Sequence, residues 1–151
     1  MFDIINNHYH MIVGGFVAIL TMIFGKHWFL FALLLLLNVI DWLSGWLKSR
    51  VMKTVTSKKG RQGVLKIIGS WGMVFFSFMI STGLMEIGKV LDINLYFTTF
   101  IGWFVLSSLI INEARSICEN FIEAGIEVPK VLSDGLMVAD KLINEKDKEE
   151  N

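Results

Sequence analysis

The chain has 151 residues, of which 54% are apolar, with one proline and one cysteine. Lys and Arg number 14 and Asp and Glu 14, so the balanced charge points to no nucleic acid and no acidic partner. Such an oily composition at this length belongs to a membrane protein of a few spans and leaves no room for a large soluble domain.

The first apolar segment, residues 9–25 (YHMIVGGFVAILTMIFG), lies at the lower limit of about 17 residues for crossing hydrocarbon. Gly14 and Gly15 weaken it, so it reads either as a short span or as an amphipathic helix in the interface. No basic region precedes it and no small-x-small site follows, so no cleavable signal peptide is expected and every span should stay in the product. Three further segments, 28–47, 64–85 and 95–112, are apolar enough to span. The expectation is an all-α integral membrane protein of three to four transmembrane helices over 1–112, with a cytosolic helical tail over 113–151.

Between the second and third spans runs KSRVMKTVTSKKGRQG, which carries Lys48, Arg50, Lys53, Lys58, Lys59 and Arg61 and no acid. Read as a loop, it should stay cytoplasmic by the positive-inside rule. The GKH turn (25–27) and the slightly acidic loop at 86–94 then belong outside. With four spans both termini are cytoplasmic; with three the N-terminus moves to the outer side and the C-terminus stays cytoplasmic. The basic run reads as a topology signal with attraction to anionic lipid rather than a nucleic-acid site, since no stacking aromatics interleave it.

Past Asn112 the pattern becomes that of a soluble helix, with Ile117, Phe121 and Ile122 on one face and Gly125 placed to end it. Pro129 then stands near the first turn of a last helix, in which Leu132, Leu136, Ala139 and Ile143 recur at helical spacing. The acids Glu119, Glu123, Glu127, Asp134 and Asp140 give this end either a face toward the basic stretch or a solvated surface.

Asp41 is the outlier, an acid on the flank of WFLFALLLLL. An intramembrane Asp costs about 2.5 to 3.5 kcal/mol and each Leu, Ile or Phe returns about 0.3 to 0.6, so the span's dozen Leu, Ile, Val and Phe outweigh it. Asp41 lies seven residues before Lys48, about 10 Å of helix rise, hence just inside the cytoplasmic edge. A carboxylate there wants a partner. Lys66 opens the third span and Glu113 and Arg115 close the fourth at the same boundary. A polar cluster of Asn38, Asp41, Lys66, Glu113 and Arg115, pinning helix ends within or between subunits, is expected. Separate snorkelling of these side chains is the alternative.

In the third span Ser70, Ser77 and Ser81 fall at i, i+7 and i+11, with Gly69 beside them. This small, mildly polar face suits close helix packing in lipid, or the lining of a pore once water enters.

No catalytic constellation is visible. His8, His10 and His27 lack metal-ligand spacing, Cys118 stands alone as a reduced thiol, and KKGRQG is a basic turn rather than a phosphate loop. No enzyme activity, cofactor or metal is expected. Trp28 and Tyr96 toward the outer ends, and Trp42, Trp46 and Trp71 toward the inner ends, read as interfacial anchors.

The order Asp41 and Gly45, then Ser57, Gly63 and Lys66, then Glu113, Ser116, Asn120, Gly125, Val128 and Pro129 resembles the toxin-secretion and phage-lysis holins, the group that includes phi29-type holins. The likeness covers about 38–140. It implies a protein that accumulates in the bacterial cytoplasmic membrane, forms a homo-oligomer in the lipid bilayer, and opens a lesion. Through it an endolysin (a cell-wall hydrolase) or a large toxin leaves, with no direct binding to the holin required. Two other classes stay open: a narrow ion channel or transporter subunit, which would need a charged mid-membrane path that is not evident, and a non-conducting membrane scaffold recruiting a partner through the acidic tail.

Overall fold

The computed structural model describes residues 25–149 together with 14, 15, 17, 18 and 21, so most of the expected segment 9–25 lies outside the described residues. The chain divides into two compact units, residues 1–33 and 34–151. Of the first, a 3-10 turn, Gly25–His27, leads into helix α1, Trp28–Val51, where Trp28 and Phe29 meet edge to face at 6.3 Å. The second unit holds α1 from Leu34 onward, then α2 (Ser57–Leu91), a 3-10 turn (Tyr96–Thr98), α3 (Thr99–Glu123) and α4 (Lys130–Glu149). Among the described residues all regular structure is helical.

Three stretches, Gly25–Val51, Gly60–Leu91 and Tyr96–Glu123, are long and apolar enough to cross a membrane. Each outruns its expected segment. The 35 residues of α2 rise about 52 Å against a hydrocarbon thickness of about 30 Å, so its ends stand in the headgroups or water. The basic segment is accordingly not a loop throughout. Lys48 and Arg50 belong to the last turn of α1, Lys53 lies in the short connection, and Lys58, Lys59 and Arg61 occupy the first turns of α2. Lys, Arg and Gln are good helix formers, and extending the helix satisfies backbone groups close to lipid. Two lysines at the start of α2 nevertheless oppose its dipole, so packing must hold that end.

Helices α1, α2 and α3 end alike. After α1, Thr54 donates its N–H to Ser49 O (2.8 Å) and Lys53 to Arg50 O (3.2 Å), with Lys53 left-handed at φ 55°. After α2, Ile93 reaches Gly88 O at 2.8 Å with Asp92 at φ 54°. After α3, Ile126 reaches Phe121 O at 2.9 Å with Gly125 at φ 81°. Each is a Schellman closure, which consumes carbonyls the helix end leaves unpaired. Gly125 fits without strain; Lys53 does not.

The second unit is inverted relative to a soluble domain. Buried positions include Leu34, Val74, Leu106, Ile111, Ile117 and Cys118, but also Asn38, Ser44, Ser70, Ser77, Ser81, Thr98, Glu113 and Asn120. Leu36, Phe75, Phe76 and Met79 meanwhile face outward. Lipid solvates those side chains, so helices gain by packing small and polar groups against each other. Between α2 and α3 the Ser81 hydroxyl donates to Thr98 O, and Phe78 meets Trp103 edge to face at 5.1 Å. Gly102 admits the Phe78 ring: a Cβ there would stand 2.7 Å from it.

Candidate functional site

Three spans contribute to one polar cluster. Asp41 comes from the second half of α1, Lys66 from the third turn of α2, and Glu113 from the middle of α3. The Lys66 ammonium donates to Asp41 Oδ2 at 2.7 Å, to Glu113 Oε2 at 3.0 Å and to Ser116 Oγ at 3.5 Å. One cation thus bridges two carboxylates from two other helices. The Glu113 side chain is 2% exposed and that of Asp41 12%, whereas Lys66 keeps 43%. The acids form the dry floor and the lysine stem reaches over them from the rim.

A second layer extends the network toward the end of α3. Asn120 donates from Nδ2 to Asp41 Oδ1 (3.1 Å) and to Ser44 Oγ (3.1 Å), while its Oδ1 accepts from Lys48 at 3.4 Å. Lys48 also pairs with Glu123 at 2.9 Å. Two small residues make the approach possible. A Cβ on Gly45 would lie 3.6 Å from Asn120 Nδ2, and one on Gly63 would lie 2.7 Å from Cδ1 of Trp42, whose indole covers that turn of α2. Beside the cluster a groove of about 320 Å³ is lined by Trp42, Gly45, Trp46, Gly63, Lys66 and Asn120, among others. Arg50 stacks its guanidinium over Trp46, 4.8 Å from the ring centroid.

Two expected members lie elsewhere. Asn38 is buried, but its Nδ2 donates to Leu34 O on its own helix at 2.9 Å and its Oδ1 has no partner. It sits three residues before Asp41, one turn deeper, beyond reach of Lys66. Arg115 pairs with Asp140 of α4 at 3.0 Å. Two residues past Glu113 is about 200° around the helix, so Arg115 faces away from Lys66 and ties the hairpin α3–α4 instead.

Ser70, Ser77 and Ser81 share one buried stripe of α2 with Val74. Ser77 donates to Val74 O (2.8 Å), and Ser81 meets Thr98 of the 3-10 turn before α3. Gly69 is off that stripe and exposed, and a Cβ added to it would meet nothing within 4 Å, because one residue is a 100° step on a helix. Of the basic residues, Lys53, Lys58 and Arg61 are exposed at the same end of the bundle. Among the described residues no three His, Cys, Asp or Glu side chains group to hold a metal, and Cys118 is buried. His8 and His10 lie outside the described residues.

The members that residue chemistry alone passes over are Ser44, Ser116 and Asn120. Neutral side chains at a span end carry no charge signal, although Ser116 and Asn120 do belong to the holin-like order of residues. The arrangement holds charge and joins three helices that are each long and apolar enough to span a membrane.

The sequence model of the bacteriophage holin family matches residues 18–141. An uncharacterised protein of Halalkalibacterium halodurans is 28% identical over 80% of this chain and 85% of its own length. An uncharacterised protein of Listeria monocytogenes is 30% identical over 83% of this chain and 82% of its own. A probable holin of Bacillus phage phi105 is 31% identical over 70% of either chain. No solved structure matches. With three helices able to span and a family match that takes in all three, this multi-pass membrane protein belongs to the bacteriophage holin family.

Proposed function

We propose that the protein is a working holin: copies gather in the bacterial cytoplasmic membrane, associate through their spans, and open a lesion through which an endolysin or a large toxin escapes. The observation that carries this reading is the inverted packing of the second unit, with serines, Thr98, Asn38 and Glu113 between helices and Leu, Phe and Met outside. A chain this small cannot enclose a protein-sized hole by itself. Many copies that turn their hydroxyl-bearing sides toward a common space can replace lipid there with a wettable wall. The cluster of Asp41, Lys66 and Glu113 acts in this reading as the clamp that keeps each subunit's three spans in register during assembly.

Orientation follows from charge. The end of the bundle bearing Lys48, Arg50, Lys53, Lys58 and Arg61 faces the cytoplasm, taking the tail after α3 with it. At the opposite end of α2, Lys89 is paired with Glu86 at 2.6 Å and adds no net positive charge.

The test is controlled expression in a bacterium together with an endolysin that has no signal peptide, following membrane potential and hydrolase escape. Loss of potential with release of the hydrolase supports the holin. Ion flux without release makes the protein a narrow channel, and neither event makes it a scaffold.

A further inference from the structure

Two open faces of the second unit carry opposite charge. On α2, Arg61, Gly69 and Gly72 are exposed and lie roughly opposite the side on which Lys66, Phe78 and Ser81 meet α3. On α3, Asn112 and Glu119 are exposed and Ser108 partly so, about 120° round the helix from Glu113. Among the described residues neither Arg61 nor Glu119 makes an ion pair, and the Asn112 amide makes no hydrogen bond. Arg115 and Glu123, one turn to either side of Glu119, are already held by Asp140 and Lys48. A Cβ on Gly69 or Gly72 would meet nothing within 4 Å, so packing inside the subunit calls for neither glycine.

The two faces also match in height. Lys66 faces Glu113, Phe78 faces Gly102 and Ser81 faces Thr98, so each residue gained along α2 is one lost along α3. The same count sets Arg61 level with Glu119, Gly69 with Asn112 and Gly72 with Ser108, to within about one residue or 1.5 Å. Copies inserted in one membrane stand the same way up, so this register holds between neighbours as it does within a subunit. Charge then decides which faces meet. Two α2 faces together would set Arg61 against Arg61, and two α3 faces Glu119 against Glu119, whereas α2 against α3 joins opposite charges. The two glycines let a second helix come close enough for the Asn112 amide and the Ser108 hydroxyl to reach the α2 backbone.

We propose that copies of the chain join head to tail through these faces, with Arg61 of one subunit paired to Glu119 of the next, and with Asn112 and Ser108 packed over Gly69 and Gly72. The partner is a second copy. A subunit joined on one side keeps its other face free, so copies add to the row until its curvature closes a ring. The inference deepens the proposed lesion and rests on copies associating in the membrane.

Full-length protein with Cys118→Ser, Gly69→Cys and Asn112→Cys is produced in a bacterium and oxidised with copper phenanthroline before the membrane potential falls. A non-reducing gel should show a ladder of multimers, while either introduced cysteine alone should give monomer. A dimer from Gly69→Cys alone or from Asn112→Cys alone overturns the proposal in favour of a symmetric contact, and monomer throughout overturns it outright. In the two-cysteine protein, Arg61→Glu or Glu119→Arg should remove most of the ladder, and both reversals together should restore it. A ladder indifferent to either reversal, or not restored by the pair, overturns the charge pairing that selects the faces. Hydrolase release without a ladder sinks this contact and leaves the lesion reading standing; a ladder without release does the opposite.

Discussion

Lys66 and Asp41, 25 residues apart in sequence and on different spans, stand 2.7 Å from each other through ammonium and carboxylate, and the same ammonium is the charged partner of Glu113. A single cation therefore serves as the ion-pair partner of two acids, one of them almost wholly buried. Removing it is worse than removing an acid. Lys66→Met should leave Glu113 buried without a counter-charge, at a cost of about 3–5 kcal/mol. Adding Glu113→Gln to Lys66→Met should return part of that loss. Denaturant unfolding of the detergent-solubilised protein, followed by circular dichroism, gives both values. Equal stability of the single and double variants would show that the two groups are not coupled.

Gly102 and Phe78 form the tight contact between α2 and α3. Because a methyl group at Gly102 would sit 2.7 Å from the ring, Gly102→Ala must displace a side chain already held by Trp103. The expected loss is about 1–3 kcal/mol. Phe78→Leu should relieve it in the double variant, and a thermal melt in detergent reads the rescue. If the Ala variant melts with the parent protein, the close approach is not needed.

Much of this fold was legible in the residues, and the reasons differ by element. Runs such as WFLFALLLLL announce a span whatever surrounds them, and Gly125 marks a helix end because its left-handed φ suits no other residue as well. Asp41, Lys66 and Glu113 were readable as one boundary cluster because charge in a span needs a partner and topology brings three helix ends to one side. Arg115 misled for a simple reason: depth follows from sequence position, but facing requires the helical angle, which turns it about 200° from Glu113. Asn38 misled through depth, lying one turn below Asp41 and satisfying its donor on Leu34. The basic stretch read as a loop because charge suggests solvent, yet Lys58 and Arg61 are solvated on a helix just as well. Asn120 was named only through the holin-like order of residues and not as a member of the cluster, because an amide's value depends on what it meets, here Asp41, Ser44 and Lys48 together.

The left-handed closures give a matched pair of expectations. Gly125→Ala places a Cβ at φ 81° and should cost about 1–2 kcal/mol. Lys53→Gly removes the same strain at φ 55° but gives the unfolded chain more freedom, so its net gain should stay below about 1 kcal/mol. Melting temperatures of the two variants should shift in opposite directions, with the larger shift for Gly125→Ala. A fall for Lys53→Gly would mean that the Lys53 side chain makes a stabilising contact that outweighs its backbone strain.

Ser77 offers the sharpest view of assembly. In the single chain its hydroxyl is buried and donates to Val74 O, facing neither lipid nor water. If the serine stripe becomes the wall of a lesion, this position must pass from dry to wet when the membrane opens. A Ser77→Cys variant in a Cys118→Ser background changes one atom at a buried site, and a charged, membrane-impermeant thiol reagent then reports water directly. Before the membrane potential falls, Ser77→Cys should be unreactive. Once potential is lost and the hydrolase appears outside, it should react, while a cysteine at the outward-facing Phe75 stays protected by lipid. Reaction at Phe75→Cys in place of Ser77→Cys would move the wettable wall to the opposite face of α2. The helices would then keep their monomer packing within the lesion, with the Lys66 cluster intact and new contacts made only between subunits.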